Sequence, residues 1–366
     1  MQAVVSRPPV DSERRWLAIS DVHGNLDYLK GLLKKVSFTP DDELFILGDM
    51  VEKGVQSLDT VRYIMELMKT HRVYPLCGNC DAWHSFIDSE SEEMDKELRR
   101  YLVERGNGWN QDGLIAQMCL QLGIEISPHM DMERTRRMLK AEFSLEFDFL
   151  RSLPHIIDTP DYTFVHGGIQ SMDFESLDAY ACMKYDNFMN QGKVFDKYVV
   201  VGHWPVMLYG GDTTCANPVI DSEHRIISID GGCVLKDDGQ LNALILKDGE
   251  ISWQYYDRFP TAKVISAQKG SGRSAYIRWG DNVVKVLKRG EEFSRVKHAR
   301  TGYEMDILTK YLYEPGELSH CNDCTDYVLP LRAGDEVSVV ESTSRGYLVK
   351  HKGVSGWYFG KLSFNA

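Results

Sequence analysis

The sequence predicts an α/β protein: a parallel, buried sheet with helices between its strands, followed by a small all-β region. Three observations carry this. Over residues 16–79, short apolar runs alternate with amphipathic stretches in the order strand, helix, strand, helix, strand, which implies a parallel sheet. A mostly helical stretch then fills about 82–153, and strands return after it. Beyond residue 258, short strands punctuated by glycine replace the long helical patterns.

Each element has its own signal. "WLAIS" (16–20) is a short apolar strand ending in "DVHGN". "LDYLKGLLKKV" has helical periodicity, with Leu26, Leu29, Leu32 and Leu33 on one face. "DELFILGD" (42–49) is a second strand ending in a polar Gly-Asp turn, and "SLDTVRYIMELMKTH" is a second helix with Ser57 as its expected cap. "RVYPLCGN" (72–79) is the third strand. Later strands are "YTFVHGG" (162–168), "KYVVVGHWP" (197–205), "RIISIDGG" (225–232) and the hairpin "LNALILKDGEISWQYYD" (241–257), whose Asp-Gly marks the turn. The expected organisation is a flexible leader over 1–14, an α/β domain over 15–258 with the helical insert inside it, a small β module over 259–314 and another over 315–366. A weak repeat supports the last two: Gly290, Glu292, Val296, Gly302 and Tyr303 recur as Gly334, Glu336, Val340, Gly346 and Tyr347.

Composition narrows the class. The chain has 366 residues, 43% hydrophobic and 26% charged, as in soluble globular proteins of two or three domains. No apolar run approaches the roughly 18 residues of a membrane span. The first residues lack the apolar core of a signal peptide. A net charge of −12 and a pI near 5.4 argue against broad nucleic-acid binding. Eight cysteines in so long a chain read as reduced thiols, and hence a cytoplasmic protein.

One event recurs at five strand ends: "SDVHG", "LGDM", "CGNCD", "VHGG" and "VGHW" each deliver a hard or imidazole ligand into a glycine-containing loop. The candidates are Asp21, His23, Asp49, Asn79, His166 and His203. Carboxylate, imidazole and amide oxygen together suit octahedral or near-octahedral divalent ions such as Mn, Fe, Zn or Co. Cys77 and Cys80 also spell Cys-x-x-Cys, but a dithiol reading needs a thioredoxin-like context that the other four loops contradict. Cys77 reads instead as a small buried apolar residue. His84, one helical turn beyond Cys80, reads as a surface or core histidine. "HCNDC" (320–324) lacks the second cysteine pair of a zinc site and reads as a linker turn.

Asp21-x-His23-Gly, Gly48-Asp49-x-x-x-x-Gly54, Gly78-Asn79-x-Asp81, His166-Gly167-Gly168 and Gly202-His203 resemble the ordered motifs of the calcineurin-like metallophosphoesterases, nearest the protein Ser/Thr phosphatase and diadenosine tetraphosphatase branch. The resemblance covers about residues 15–257. It implies a four-layer α/β/β/α sandwich and two divalent ions, manganese favoured. Asp21 and His23 would hold the first ion, Asp49 would bridge, and Asn79, His166 and His203 would complete the second. Two such ions clamp the attacking and leaving oxygens of an in-line displacement and make hydroxide available at neutral pH. "GYLVKHKGVSGWYFGKL" resembles bacterial SH3 domains, which implies a protein partner or packing role for the last module.

Three departures from that family matter. Cys80 stands where the phosphatases place a histidine that protonates the leaving alkoxide, and a thiol is a poor donor. Glu52-Lys53-Gly54 replaces Asp-Arg-Gly, so a bidentate guanidinium becomes the point charge of Lys53 on the phosphate. A Trp-x-Arg segment is absent, with Tyr185 near the arginine's place. The expected activity is therefore metal-dependent hydrolysis of phosphate esters, leaning to phosphodiesters or dinucleoside polyphosphates. The alternatives are a protein Ser/Thr phosphatase, or a non-catalytic metal-binding scaffold that recruits partners through its SH3-like region.

Overall fold

The computed structural model describes residues 1–89, 91–106, 113–314 and 316–364. The chain forms two compact units: Met1–Val206 with Pro218–Leu235 and Gln240–Tyr256, and Met207–Asn217 with Lys236–Gly239 and Asp257–Ala366.

In chain order the strands and helices up to residue 256 are β1 (Val5–Ser6), β2 (Trp16–Ile19), α1 (Leu26–Lys35), β3 (Glu43–Ile46), α2 (Ser57–Leu67), β4 (Arg72–Pro75), the helices α3 (His84–Asp88), α4 (Glu92–Gly106), α5 (Leu114–Gln121), α6 (Met132–Glu142) and α7 (Ser144–Ser152), then β5 (Ile156–Asp158), β6 (Tyr162–Val165), α8 (Ala179–Met183), β7 (Tyr198–Val201), β8 (Thr214–Cys215), β9 (Val219–Asp221), β10 (Ile226–Ser228), β11 (Leu241–Lys247) and β12 (Glu250–Tyr256). All but β8 belong to the first unit. Its first sheet runs β12-β11-β2-β3-β4, with β2, β3 and β4 parallel. Its second runs β1-β5-β6-β7-β10-β9, with β6, β7 and β10 parallel.

Strand alternation explains the layering. Leu17 and Ile19 of β2 face a core shared with Leu29 and Leu32 of α1 and Val61 and Ile64 of α2. Trp16 and Ala18, pointing the other way, join Phe45, Phe164, Val200 and Ile227 in a core between the two sheets. The rings of Phe45 and Phe164 stack there with centroids 4.1 Å apart. Ile156, Val165, Val199 and Val201 turn away from that layer to pack with Phe174, Leu177, Cys182 and Phe188. Helices, sheet, sheet and a short helical layer follow in order, the four-layer sandwich expected.

Three local expectations are corrected. Residues 1–14 are not a loose leader, because Val5 and Ser6 pair in parallel with Ile156 and Ile157 and Ala3 is buried. Ser57 does not cap α2. Its hydroxyl accepts from the Glu52 N–H at 2.9 Å and so fixes the preceding loop. The domain boundary near 258 leaves out two stretches, 207–217 and 236–239, that lie in the second unit because their backbone and charges are held there.

That unit is all β. It adds β13 (Thr261–Val264), β14 (Tyr276–Ile277), β15 (Val283–Lys288), β16 (Phe293–His298), β17 (Glu304–Leu308), β18 (Leu312–Tyr313), β19 (Ser319–Cys321), β20 (Cys324–Thr325), β21 (Glu336–Ser342), β22 (Tyr347–His351), β23 (Val354–Tyr358) and β24 (Leu362–Phe364). Its sheets run β24-β13-β21-β22-β23-β8, β17-β16-β15-β19-β18 and β14-β20, all antiparallel. The sequence repeat maps onto the hairpins β16–β17 and β21–β22. Pairing crosses residue 314 in both directions: β13 joins β21 and β24, and β19 joins β15. The two expected modules thus share strands. Among the described residues no helix is long and apolar enough to cross a membrane.

Candidate metal centre

The six candidate ligands follow the carboxyl ends of β2, β3, β4, β6 and β7, the edge where open α/β sheets expose their functional loops. Asp21, His23, Asp49 and Asn79 come from the first sheet, and His166 and His203 from the second. Asp49 sits at the junction. Its Oδ1 lies 3.3 Å from His166 Nε2 and its Oδ2 3.8 Å from His23 Nε2. His23 Nε2 is also 3.7 Å from Asp21 Oδ1. The His203 N–H donates to Asp21 Oδ2 at 2.9 Å, and the His166 and His203 rings are 5.1 Å apart. Among the described residues two groups of metal-competent atoms result, each within 4.8 Å of one another: His23, Asp49 and Cys80, and Asp49, His166 and His203. Asp49 belongs to both.

The loops reach this geometry through unusual backbone. Asp21 (φ 57°), His23 (49°), Asp49 (48°) and His203 (65°) all adopt left-handed conformations. Such non-glycine residues cost of order 1–3 kcal/mol each and persist where surroundings over-determine them. Here the Asp21 N–H donates to Gly48 O at 3.2 Å and the His23 N–H to Asp49 O at 2.8 Å. Two glycines are required by close approach rather than by φ alone. A Cβ on Gly202 would overlap Ser20 Oγ and Asp21 Oδ2, and one on Gly78 would overlap Asp49.

The electrostatics favour positive charge. Burial raises the Asp21 carboxyl, helped by Asp230 and Asp49. Burial would raise Asp49 too, but the His166 and His23 imidazoles outweigh it and hold the group low. His166 is pushed up to about 10, Asp49 and Asp21 overcoming its burial. His203 falls to about 4, through burial and then the neighbouring His166. Second hydrogen bonds orient the ligands, as metal sites require: His166 Nδ1 donates to Leu47 O at 2.7 Å, and His23 Nδ1 lies 3.3 Å from Val51 O. Asp21 Oδ1, His23 Nε2, Asn79 Oδ1 and His166 Nε2 are buried with no hydrogen-bond partner. These orphaned carboxylate, imidazole and amide atoms, from three loops, are a donor set that fits divalent cations chemically.

The neighbouring residues separate into three kinds. Cys80 faces the centre: its N–H donates to Asp49 Oδ1 at 2.8 Å, Asn79 Nδ2 lies 3.3 Å from its Sγ, and burial followed by Asp49 raises its thiol. Cys77 instead packs into the helix-side core, so the two cysteines of the Cys-x-x-Cys spelling have different surroundings. Lys53 is close enough for its charge to act on both His23 and Cys80. His84 belongs to neither group; burial lowers its imidazole, with smaller effects from Asp88 and Arg151. Among the described residues no metal-competent group includes His320, Cys321 or Cys324.

Sequence reasoning missed the parts that several neighbouring residues play. Glu52 is buried, and its carboxylate accepts from the Leu114 N–H at 2.8 Å and from the Tyr101 hydroxyl, tying the Lys53 loop to the helical insert. Asp81 accepts from the Met50 and Gly78 N–H groups at 2.9 and 2.8 Å, pinning two ligand loops together. Tyr185 packs against Phe188, whereas its neighbour Asp186 reaches His203 Nε2 at 2.8 Å. Asp230, after β10, is buried near Asp21; in the sequence it was only the end of the strand "RIISIDGG".

Two stacked mixed sheets with an aspartate–histidine centre on their strand ends define a metal-binding α/β class. The profile of the calcineurin-like phosphoesterases matches residues 14–251, and the chain belongs to that family. Over 64 residues it is 47% identical to the symmetrical bis(5'-nucleosyl)-tetraphosphatase of Shewanella loihica, covering 17% of this chain and 23% of that protein. Over 125 residues it is 33% identical to the protein of that name from Xanthomonas axonopodis pv. citri, covering 34% and 38%. The chain thus spans less than half the length of these curated relatives. A protein serine/threonine phosphatase from Saccharomyces cerevisiae is similar in structure over 70% of this chain and 84% of that one, at 12% identity and a TM-score of 0.43.

Proposed function

We propose that this chain is a phosphoric ester hydrolase that uses two divalent ions, manganese favoured, and prefers phosphodiester or dinucleoside polyphosphate substrates. The observation that carries the reading is the shared position of Asp49 in two ligand groups. Asp21 and His23 would hold one ion, Asn79, His166 and His203 the other, with Asp49 between. When bound, such ions polarise the phosphate and supply a nucleophile at neutral pH. Lys53 offers a point charge to a phosphate oxygen, without the bidentate fit of arginine. Cys80 stays a protonated but weak donor, so esters whose leaving group needs little protonation are served best. The names of the curated relatives agree with this substrate class.

The experiment is a Mn²⁺-dependent screen of aryl monoesters, aryl diesters and dinucleoside polyphosphates, with metal content measured in parallel. A clear monoester preference would sink the diester reading and favour a protein phosphatase. Two bound ions without turnover of any ester would favour a scaffold. Eight free thiols suit a reducing cytoplasm. A protein partner at the SH3-like region would meet Trp279 and Phe359, both more than half exposed; replacing them with alanine should abolish partner capture and leave hydrolysis unchanged.

A further inference from the structure

The second unit contains two stretches of chain that continue directly from loops of the candidate centre. Met207–Asn217 begins just after the His203 loop, and Lys236–Gly239 is the tip of a loop whose base is Asp230. That base is closed by the Gln240 N–H donating to Gly231 O at 3.0 Å and the Gly232 N–H to Asp230 Oδ1 at 2.8 Å.

Both tips are built into the all-β unit. β8 is an edge strand on β23, pairing Cys215 with Val354 and Thr214 with Ser355. Arg278 Nη1 donates to Gly211 O at 3.2 Å, and Asn217 Nδ2 to Lys352 O at 2.8 Å. At the other tip Lys236 Nζ lies 2.6 Å from Asp323 Oδ2. Lys350 lies deeper. Its side chain is 0% exposed, and its ammonium lies 2.9 Å from Asp257 Oδ2 and donates to Asp238 O and Gly239 O at 3.0 and 3.2 Å. An ammonium has three donors, and these three acceptors match them. A buried charge is costly unless so satisfied, which makes the position of the 236–239 carbonyls stringent. Thr214 Oγ1, 3.5 Å from Asp238 Oδ2, joins the two tips.

We propose that the all-β unit positions the metal centre, holding the far ends of the loops that carry His203 and Asp230, with Lys350 as the positioning residue. The appendage is then part of the catalytic apparatus, acting through chain connectivity and not through substrate contact. This rests on reading His203 as a metal ligand.

The test uses the full chain with Mn²⁺ alone as the metal probe. Lys350→Met is compared with Val284→Ala, a core truncation in the same unit whose backbone pairs with His298 and Ser319 and with neither tip, at temperatures matched to equal distance below each unfolding midpoint. The readouts are Mn²⁺ affinity by calorimetry, hydrogen exchange of the His203 amide without metal, and kcat against KM for an aryl diester. Partners that orient metal ligands are worth about 10–100-fold, so Lys350→Met should lose Mn²⁺ affinity in that range. It should also speed exchange at His203 and lower kcat with little change in KM, while Val284→Ala does none of these. Wild-type affinity and exchange in Lys350→Met, or the same losses in Val284→Ala, would overturn the proposal. If Lys350→Met does not fold, the partly exposed anchors Arg278→Ala and Asn217→Ala together should move all three readouts in the same direction; no movement overturns it. A His203→Ala variant with wild-type Mn²⁺ affinity removes the ligand assignment, while the exchange result judges the holding of the loop separately.

Discussion

If position 80 is the leaving-group acid's place, replacing Cys80 with histidine should restore that acid, and general acid catalysis sets the size and selectivity of the gain. The backbone at this position is fixed by the hydrogen bond from its N–H to Asp49 Oδ1 at 2.8 Å, so a new side chain starts from the same place and direction. The thiol already lies within 4.8 Å of ligand atoms of His23 and Asp49. An imidazole there extends further from the backbone than the thiol does. A positioned general acid contributes about 10²–10⁴-fold, equal to roughly 3–5 kcal/mol at 1.36 kcal/mol per tenfold. That contribution depends on the leaving group. Nitrophenolate departs readily as an anion, whereas phenolate, with a pKa near 10 like a tyrosine hydroxyl, needs the proton. Taking the lower end, Cys80→His should raise phenyl phosphate turnover about a hundredfold and leave p-nitrophenyl phosphate almost unchanged. Steady-state kinetics across a series of substituted phenyl esters measures this as a shallower dependence of rate on leaving-group pKa. Mn²⁺ stoichiometry is checked alongside, since an added imidazole could become a ligand. Equal gains on both leaving groups, or no gain on either, would refute the assignment of this position.

Other perturbations probe the rest of the site. Asp49→Asn keeps the volume and removes the shared charge; Mn²⁺ affinity should fall by more than about a hundredfold, and chelation of the wild type should abolish turnover that added Mn²⁺ restores. Glu52→Ala deprives the Leu114 N–H and the Tyr101 hydroxyl of their acceptor; at about 1–3 kcal/mol per unsatisfied buried group, urea unfolding should show a loss of roughly 2–4 kcal/mol. Gly202→Ala forces Ser20 and Asp21 apart, and calorimetry should find Mn²⁺ binding lost even where circular dichroism shows the fold retained.

The candidate ligands were legible because each follows a strand whose apolar run is local in sequence. Asp21, His23, Asp49, Asn79, His166 and His203 each sit at the end of such a run. Asp186 follows no strand, and only the fold brings it to His203. Glu52 stands beside Lys53, which holds the place of the family's phosphate clamp, yet its partners lie in the insert, some 50 and 60 residues along the chain. β1 is two residues long, too short for any periodicity, and exists because β5 offers a free edge. The transfer of 207–217 and 236–239 into the second unit rests on pairing with β23 and on Lys350, partners more than a hundred residues away. Local pattern reports what a segment can form; it does not report which distant segment receives it.

The order of the first sheet has a consequence for synthesis. β2, which leads to Asp21 and His23, is followed at once by β3, but the other of its two neighbours is β11, more than two hundred residues later. Until that strand leaves the ribosome, β2 presents an open row of amides and carbonyls, the kind of edge that recruits foreign strands. A delay of 182 residues separates the first candidate ligand from His203. Between the synthesis of Asn79 and that of His166 the growing chain therefore carries an unfinished sheet and four of the six candidate ligands, and the late hairpin β11–β12 is the piece that closes the edge.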